Sequence, residues 1–321
     1  MSGHIVRALP TGASTCVQSS EESRFKQDLR ASRDSPCLSL RGFARSSVIT
    51  VTAHFSNGRV VGTVTSPFIN EASGIAASRR HSNILYTHND SGGRNRIFAV
   101  DTTTGHRLAT FYIDGAHSHD WEDIAVGPCA NNQAESCIYI GDTGGNAGGE
   151  ANRLYRVKEP NTIPRDHGQN YHLPLDSTLM YSWNQHDCET LMVDNRGEIY
   201  LVSKRHNAHG YVFHVPKEAW GTHQNEYLTG GVHLPLNTGD YGPVGGDISP
   251  DGRAVLLKTY GHVYYWDVSD HNYPAAMAHY PQTLPYHGER QGESVCWDKD
   301  GKGYFTLSEG SHQSLWYYQK Y

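Results

Sequence analysis

Apolar and polar residues alternate along most of this chain in short runs, and these runs recur in groups of three. Each group begins with a polar pair and a small apolar run, and a turn and a denser apolar run follow. The five starting runs are SGIAAS from Ser73, EDIAVG from Glu122, ETLMVD from Glu189, GDISPD from Gly246 and ESVCWD from Glu293. Alternation with a period of two is typical of half-buried strands. Self-similarity of this kind predicts a repeat architecture.

The spacing of the groups predicts a single β-propeller. An interval of about 40–50 residues suits a blade of four antiparallel strands, and the longer intervals here contain loop insertions such as the segment from Glu159 to Ser177. No apolar stripe with the helical period runs for a useful length. We therefore expect an all-β domain over residues 46–321.

The number of blades depends on how the ring closes. The fifth group stops at Tyr321 after three strands, and the run GRVVGTVT from Gly58 belongs to no group. Pairing this N-terminal strand with the last blade leaves no open sheet edge, which predicts five blades. Six blades is the alternative, in which residues 46–67 contribute more than one strand. The Asn57-Gly58 pair also predicts a hairpin between SVITVTAHF, from Ser47, and the following strand.

Residues 1–45 differ in composition from the rest of the chain. They are rich in Ser and Arg and show no sustained periodicity. Disorder is expected, because little apolar surface is available to offset the entropy of ordering. The segment lacks the apolar core of a secretory signal. The alternative is a misassigned start that hides a signal peptide.

Composition excludes some partners. The formal net charge is −6 and charged residues make up 19% of the chain, so no basic surface for nucleic acid is expected. No apolar run approaches the length of a membrane span. We expect a monomer.

The six cysteines form no C-x-x-C motif, so a zinc site is not predicted. Cys129 and Cys137 bracket one hairpin loop, which makes a disulfide between them physically easy. Cys188 and Cys296 fall on first strands of two groups and are expected to be buried thiols. Cys16 and Cys37 flank a polar segment and form a second candidate pair.

The starts of the first strands carry most of the candidate chemistry. In a propeller these strands line the central channel, so their first residues converge at one mouth. The acids at these positions are Glu122, Asp123, Glu189, Asp247 and Glu293. Carboxylates this close raise each other's pKa or bind a cation, and oxygen ligands favour calcium. We take Glu122, Glu189 and Glu293 as candidate catalysts and Asp123 and Asp247 as candidate metal ligands. The alternative is that these acids accept backbone amides of the neighbouring blade.

A second ring of candidates comes from the loops after the second strands. Its members are His88, Asp90, Asp142, Arg205 and Tyr260. Such a set could bind a sugar acid or a peptide carboxylate, with Arg205 as the anion clamp. Asp and Asn before Gly are also ordinary turn residues, and that interpretation stays open. His117 and His119 form a His-x-His pair without an identified third ligand.

Taken together, the segments NDSGG, DWEDIAVG, YIGDTGGN, ETLMVD, GEIYLVSKR and GESVCWD resemble a group of secreted β-propeller proteins. The resemblance covers about residues 65–321, and DWEDIA with GDTGGN is its most specific part. It implies a propeller and an extracytoplasmic setting. It implies no reaction.

Three functions are compatible with these observations. The first is a secreted binding or matrix protein that uses the channel mouth and its loops, with a structural calcium ion and a glycan or protein ligand. The second is a carbohydrate-active enzyme. It would be a glycoside hydrolase that uses two of the three inner-strand glutamates, or a polysaccharide lyase that uses His88 or His119 with Tyr260 and Arg205. The third is an intracellular interaction scaffold.

Overall fold

Antiparallel strands make up almost all of the regular structure in residues 52–90, 93–145, 152–165 and 169–321, which are the residues that the computed structural model describes. Within them, helix is confined to a 3₁₀ turn at Lys217–Ala219 and to α1 at Tyr273–Met277. The all-β prediction is therefore confirmed. The predicted disordered segment 1–45 and the Cys16/Cys37 pair lie outside the described residues.

The strands form five antiparallel units in chain order. The first unit contains β2 (Ala72–Ala77), β3 (Ile84–Asn89), β4 (Arg96–Asp101) and β5 (Arg107–Asp114). The second contains β6 (Trp121–Cys129), β7 (Asn132–Asp142), β8 (Asn152–Lys158) and β9 (Asn170–Ser182). The third contains β10 (Asp187–Val193), β11 (Ile199–His206), β12 (Tyr211–Val215) and, after β13 (Asn225–Tyr227), β14 (Val232–His233).

The last two units complete the ring. After the short strand β15 (Tyr241–Gly242), the fourth unit contains β16 (Gly245–Ile248), β17 (Ala254–Lys258), β18 (Val263–Asp267) and β19 (Gln282–Leu284). The fifth contains β20 (Gly292–Trp297), β21 (Gly303–Ser308), β22 (Gln313–Gln319) and the N-terminal strand β1 (Arg59–Val64). A parallel pairing of β5 with β9 joins the outer edges of the first two units.

The innermost strands contact one another in the closed order β2, β6, β10, β16, β20 and back to β2. Glycines allow this close approach: a Cβ at Gly74 would lie 2.8 Å from the backbone nitrogen of Ile124. Apolar side chains fill the spaces between neighbouring units, where five clusters of buried residues follow one another around the ring. The arrangement is propeller-like.

Burial follows position within each unit. Every residue of the innermost strands β2, β16 and β20 is buried, because neighbouring units cover both faces. The outer strand β9 alternates between exposed and half-buried positions along Asn170–Asp176, as expected for a strand with one face in solvent. Alternation of apolar and polar residues in the sequence therefore indicates the outer strands more clearly than the inner ones.

The strand β1 pairs antiparallel with β22, from Arg59 opposite Tyr317 to Val64 opposite Gln313. This is the N-terminal closure that the sequence predicts. The hairpin predicted at Asn57-Gly58 is wrong in the described part, because the residues before it do not pair with β1. Phe55 instead forms a bridge with Lys320, so both flanks of the turn run along the same neighbour.

The Cys129–Cys137 disulfide is present, and Cys188 and Cys296 are buried free thiols, as predicted. Replacing Cys129 and Cys137 with alanine is expected to lower the free energy of unfolding by about 2–3 kcal/mol, because the short closed loop gains freedom when unfolded. Calorimetry should show a melting temperature lower by about 5–10 °C. Wild-type protein in reductant should have the same melting temperature as the variant. A variant that melts at the wild-type temperature would show that the disulfide does not stabilise the fold.

No helix in the described part of the chain is long and apolar enough to cross a membrane.

Candidate functional site

Five carboxylates from the first three units gather where the innermost strands β6 and β10 begin, and we call them the acidic cluster. They are Asp90, Asp120, Glu122, Asp187 and Glu189. One oxygen from each of Asp90, Asp120 and Glu122 lies within 4.8 Å of the others, and the same holds for Glu122, Asp187 and Glu189. Glu122 therefore belongs to both groups of three. Either group could hold a metal ion.

Glu122 occupies the centre of the acidic cluster and is 2% exposed. Its Oε1 atom is buried without a hydrogen-bond partner among the described residues. Burial raises the pKa of this carboxyl far above its usual range, and the neighbouring charge of Glu189 raises it further. An ionised carboxylate in this position needs a cation.

Glu189 has a cationic partner. Its carboxylate forms an ion pair with the ammonium group of Lys204 on β11. Burial raises the pKa of Glu189 to about 8, and Lys204 opposes that shift. Lys204 lies directly across the strand pair from Asp187. Lys204 therefore places a positive charge beside these acids.

The loop Gly141–Gly145 holds the acidic cluster in place. The Asp142 carboxylate accepts a hydrogen bond from the Asp120 amide at 2.8 Å, and the Asp120 carbonyl oxygen accepts the amides of Thr143 and Gly144. The Gly145 amide donates to Asp187 Oδ1 at 3.0 Å. The carboxylate of Asp142, which the sequence predicts to bind a ligand, thus positions Asp120.

Asp123 and Asp247, the predicted metal ligands, accept backbone amides of the neighbouring unit. Asp123 Oδ2 accepts the Leu191 amide at 2.9 Å, and Asp247 Oδ2 accepts the Trp297 amide at 2.9 Å. Neither residue belongs to a group of three that could hold a metal within the described ranges. Their placement matches the alternative that the sequence leaves open.

Glu293 and Tyr260, predicted separately, come together beside the acidic cluster. The Tyr260 hydroxyl donates to Glu293 Oε1 at 2.8 Å. Burial raises the pKa of the nearby Glu309 to about 8, and the charge of Glu293 contributes to that shift. Tyr260 also lies 5.9 Å from the Lys204 ammonium group, so it links Glu293 to the Glu189 side of the mouth.

His88 and Arg205 do not enter the acidic cluster. Burial lowers the pKa of His88 to about 4, so its imidazole is neutral; its ring lies edge-on to Trp121 at 5.8 Å. Arg205 is exposed, with its guanidinium 5.7 Å from the Tyr211 ring. The cation beside the acids is therefore Lys204 rather than the predicted clamp Arg205.

His117 and His119 are exposed and belong to neither metal-capable group found in the described ranges. Asp120 and Asp187, by contrast, are members of the acidic cluster that the sequence prediction missed. Each stands two residues before an inner-strand glutamate, in DWE and DCE. Residues two apart on a strand share a face, so this repeated spacing was the available signal.

No protein-family model matches the chain, and no curated protein matches it. Among solved structures, it is similar to a PQQ-bound aldose sugar dehydrogenase from Streptomyces coelicolor, with a TM-score of 0.48 and 12% identity over 84% of this chain and 99% of that one. It is also similar to a gluconolactonase from Xanthomonas campestris, with a TM-score of 0.40 and 14% identity over 74% of this chain and 69% of that one. Likenesses this distant assign neither substrate nor cofactor.

Proposed function

We propose that this protein is a secreted five-bladed β-propeller that binds calcium in its acidic cluster and a glycan at the same mouth. Five four-stranded units and the closed order of their innermost strands support the blade number. The Cys129–Cys137 disulfide supports secretion, because disulfides persist mainly in oxidising compartments.

The observation that carries the calcium proposal is the position of Glu122. Its Oε1 is buried and without a hydrogen-bond partner in the described structure, and Glu122 is the residue with a carboxylate oxygen within 4.8 Å of the other acids in both groups of three. A protein stabilises such an arrangement either with protons or with a cation. All the donors are oxygens, which favours calcium over softer metals.

The coordination number of calcium connects the ion to a ligand. Calcium takes about six to eight oxygen atoms, whereas each group of three acids offers three residues. Water or the hydroxyl groups of a ligand would complete the shell. A glycan supplies vicinal hydroxyls of this kind, and Tyr260 and Lys204 at the same mouth supply an aromatic face and a donor.

Thermal denaturation tests the calcium proposal. A ligand of the native state at 100 times its dissociation constant stabilises by about 2.7 kcal/mol, so calcium should raise the melting temperature of EDTA-treated protein by about 5–10 °C. Magnesium is the control, and it should give a smaller shift because it requires a tighter octahedral shell. The absence of any calcium-dependent shift would reject the proposal.

The pH dependence should differ between the calcium-free and calcium-bound forms. The native pKa of Glu189 is about 8 and that of Glu122 is also raised, so the native state holds more protons than the unfolded state at neutral pH. Without calcium, stability should therefore fall as pH rises from 6 to 9. Calcium affinity should rise over the same interval, because protons compete for the carboxylates. Melting curves and calorimetric titrations at several pH values measure both trends, and parallel curves with and without calcium would contradict this.

Acid-base hydrolysis of a glycan is the second candidate function. One oxygen of Glu122 lies within 4.8 Å of one oxygen of Glu189, so the two residues form a close carboxyl pair of the kind that retaining glycosidases use. Their environments also differ, since Lys204 forms its ion pair with Glu189. Glu122 would be the acid and the ionised form of Glu189 the nucleophile; with a pKa of about 8, Glu189 is mainly ionised only above that pH. Hydrolysis of any glycan in a panel by EDTA-treated protein would support this function. Inactivity of both the EDTA-treated and the calcium-loaded protein would exclude it.

A further inference from the structure

A cavity lies at the opposite end of the ring from the acidic cluster. Residues at or just beyond the ends of four innermost strands line it: Arg79 after β2, Val126 and Pro128 on β6, Asn195 after β10 and Ser249 after β16. The acidic cluster belongs to the beginnings of these strands, so the two sites are separated by the length of the channel. The cavity has a volume of about 520 Å³.

Arg79 gives this cavity a chemical preference, because the other arginine in its wall, Arg80, donates its Nη1 to Asn161 Oδ1 at 2.8 Å. The Nη1 atom of Arg79 is buried without a hydrogen-bond partner in the described structure. Its Nη2 atom lies 3.9 Å from Asp247 Oδ1, which is beyond hydrogen-bond distance. A buried donor of a charged group without a partner is costly. The Ser136 hydroxyl, which lines the same cavity, is also buried and unpartnered.

The acids in the cavity wall do not form ion pairs with Arg79, because each is paired with another basic residue. Asp194 Oδ2 accepts a hydrogen bond from Arg196 Nε at 2.8 Å, and Arg196 Nη2 lies 2.7 Å from the same oxygen. Glu135 pairs with Lys158 at 2.8 Å. Arg79 lines the cavity with a side chain that is 18% exposed, and neither acid of the cavity wall is its partner.

We propose that this cavity binds a small organic carboxylate through Arg79. The planar fork of a guanidinium matches the two oxygens of a carboxylate, and the volume lies within the range of small-molecule pockets, about 300–1,000 Å³. Asp247, 3.9 Å from the guanidinium, disfavours a doubly charged phosphate at the same position. The ligand class is thus a monocarboxylate of the size of an amino acid or a sugar acid.

Calorimetric or ligand-observed NMR titration tests the assignment with glucuronate and N-acetylglycine as probes. Both should bind the full chain, while N-acetylglycinamide, which lacks the charge, should not. Arg79→Gln should weaken carboxylate binding at least ~10-fold, as expected for a hydrogen bond to a charged group. Arg290→Gln, an exposed arginine outside the cavity, should bind as the wild type does.

Arg79→Lys separates recognition from folding, since it keeps the charge and loses the fork; it should show an intermediate loss. Both Arg79 variants should bind calcium with wild-type affinity. This measurement separates a failure of the carboxylate proposal from a failure of the calcium proposal. Absence of carboxylate binding to wild-type protein, or equal binding by Arg79→Gln, would overturn the inference. Tighter binding of inorganic phosphate than of either carboxylate would overturn the ligand class.

Discussion

Replacing Glu122 with glutamine is expected to lower calcium affinity at least ~100-fold, which is about 2.7 kcal/mol of binding free energy. The substitution preserves size and removes the one carboxylate shared by both groups of the acidic cluster. Calorimetric titration of the EDTA-treated variant measures the loss. Without calcium, the variant should be at least as stable as the wild type, because the ionised form of Glu122 is unfavourable in its buried position.

Glu218→Gln is the matched control, because Glu218 is exposed and lies outside the acidic cluster. It should bind calcium with wild-type affinity. A Glu122→Gln variant that binds calcium within about threefold of the wild type, a difference of about 0.6 kcal/mol, would show that the ion lies elsewhere. If the protein hydrolyses a glycan, the same variant should lose turnover, since glutamine cannot donate the proton.

Gly144→Ala is expected to abolish calcium binding and to destabilise the fold. A Cβ at this position would overlap the Glu122 Oε1 atom and the Asp120 carboxyl group. The loop cannot retreat easily, because the Gly144 amide donates to the Asp120 carbonyl. Overpacking of this kind costs about 1–3 kcal/mol, so calorimetry should show a melting temperature lower by about 2–10 °C.

Gly261→Ala is the control for this substitution. The nearest atom to a Cβ at Gly261 is Asp240 Oδ2 at 3.9 Å, so the added methyl group meets open space. This variant should retain wild-type calcium affinity and melting temperature. A Gly144→Ala protein that binds calcium normally would show that Glu122 and Asp120 do not share one ion site with this loop.

The parts of the site that follow from strand repetition could be predicted from the sequence. Aligning the repeated runs places Glu122, Glu189 and Glu293 at equivalent positions, and the structure buries all three near one mouth. The alignment could not separate the acids of the groups that could hold an ion from those that accept amides of the neighbouring unit. Asp123 differs from Glu122 by one position, yet its carboxylate accepts the Leu191 amide, a contact that depends on the packing of two units.

The choice between Lys204 and Arg205 shows a second limit of the sequence. Both residues follow the same strand pattern, and the guanidinium is the better chemical match for an anion. Successive residues on a strand face opposite sides, and the register of β11 turns Lys204 toward Glu189 and Arg205 toward solvent. Register at this end of β11 is set by its pairing with β10 and β15, which no local pattern encodes.

The pairing of β1 with β22 has a consequence for synthesis of the chain. Val64 pairs with Gln313, so this pairing cannot form until Gln313 has been synthesised. At about 5–20 residues per second, the ribosome needs roughly 10–50 seconds to make the intervening segment. Throughout that interval β1 lacks β22, the strand with which it pairs, and even in the finished protein Val60 is 46% exposed. A nascent chain therefore cannot complete the fold, and a premature stop anywhere before β22 leaves the first strand without its partner.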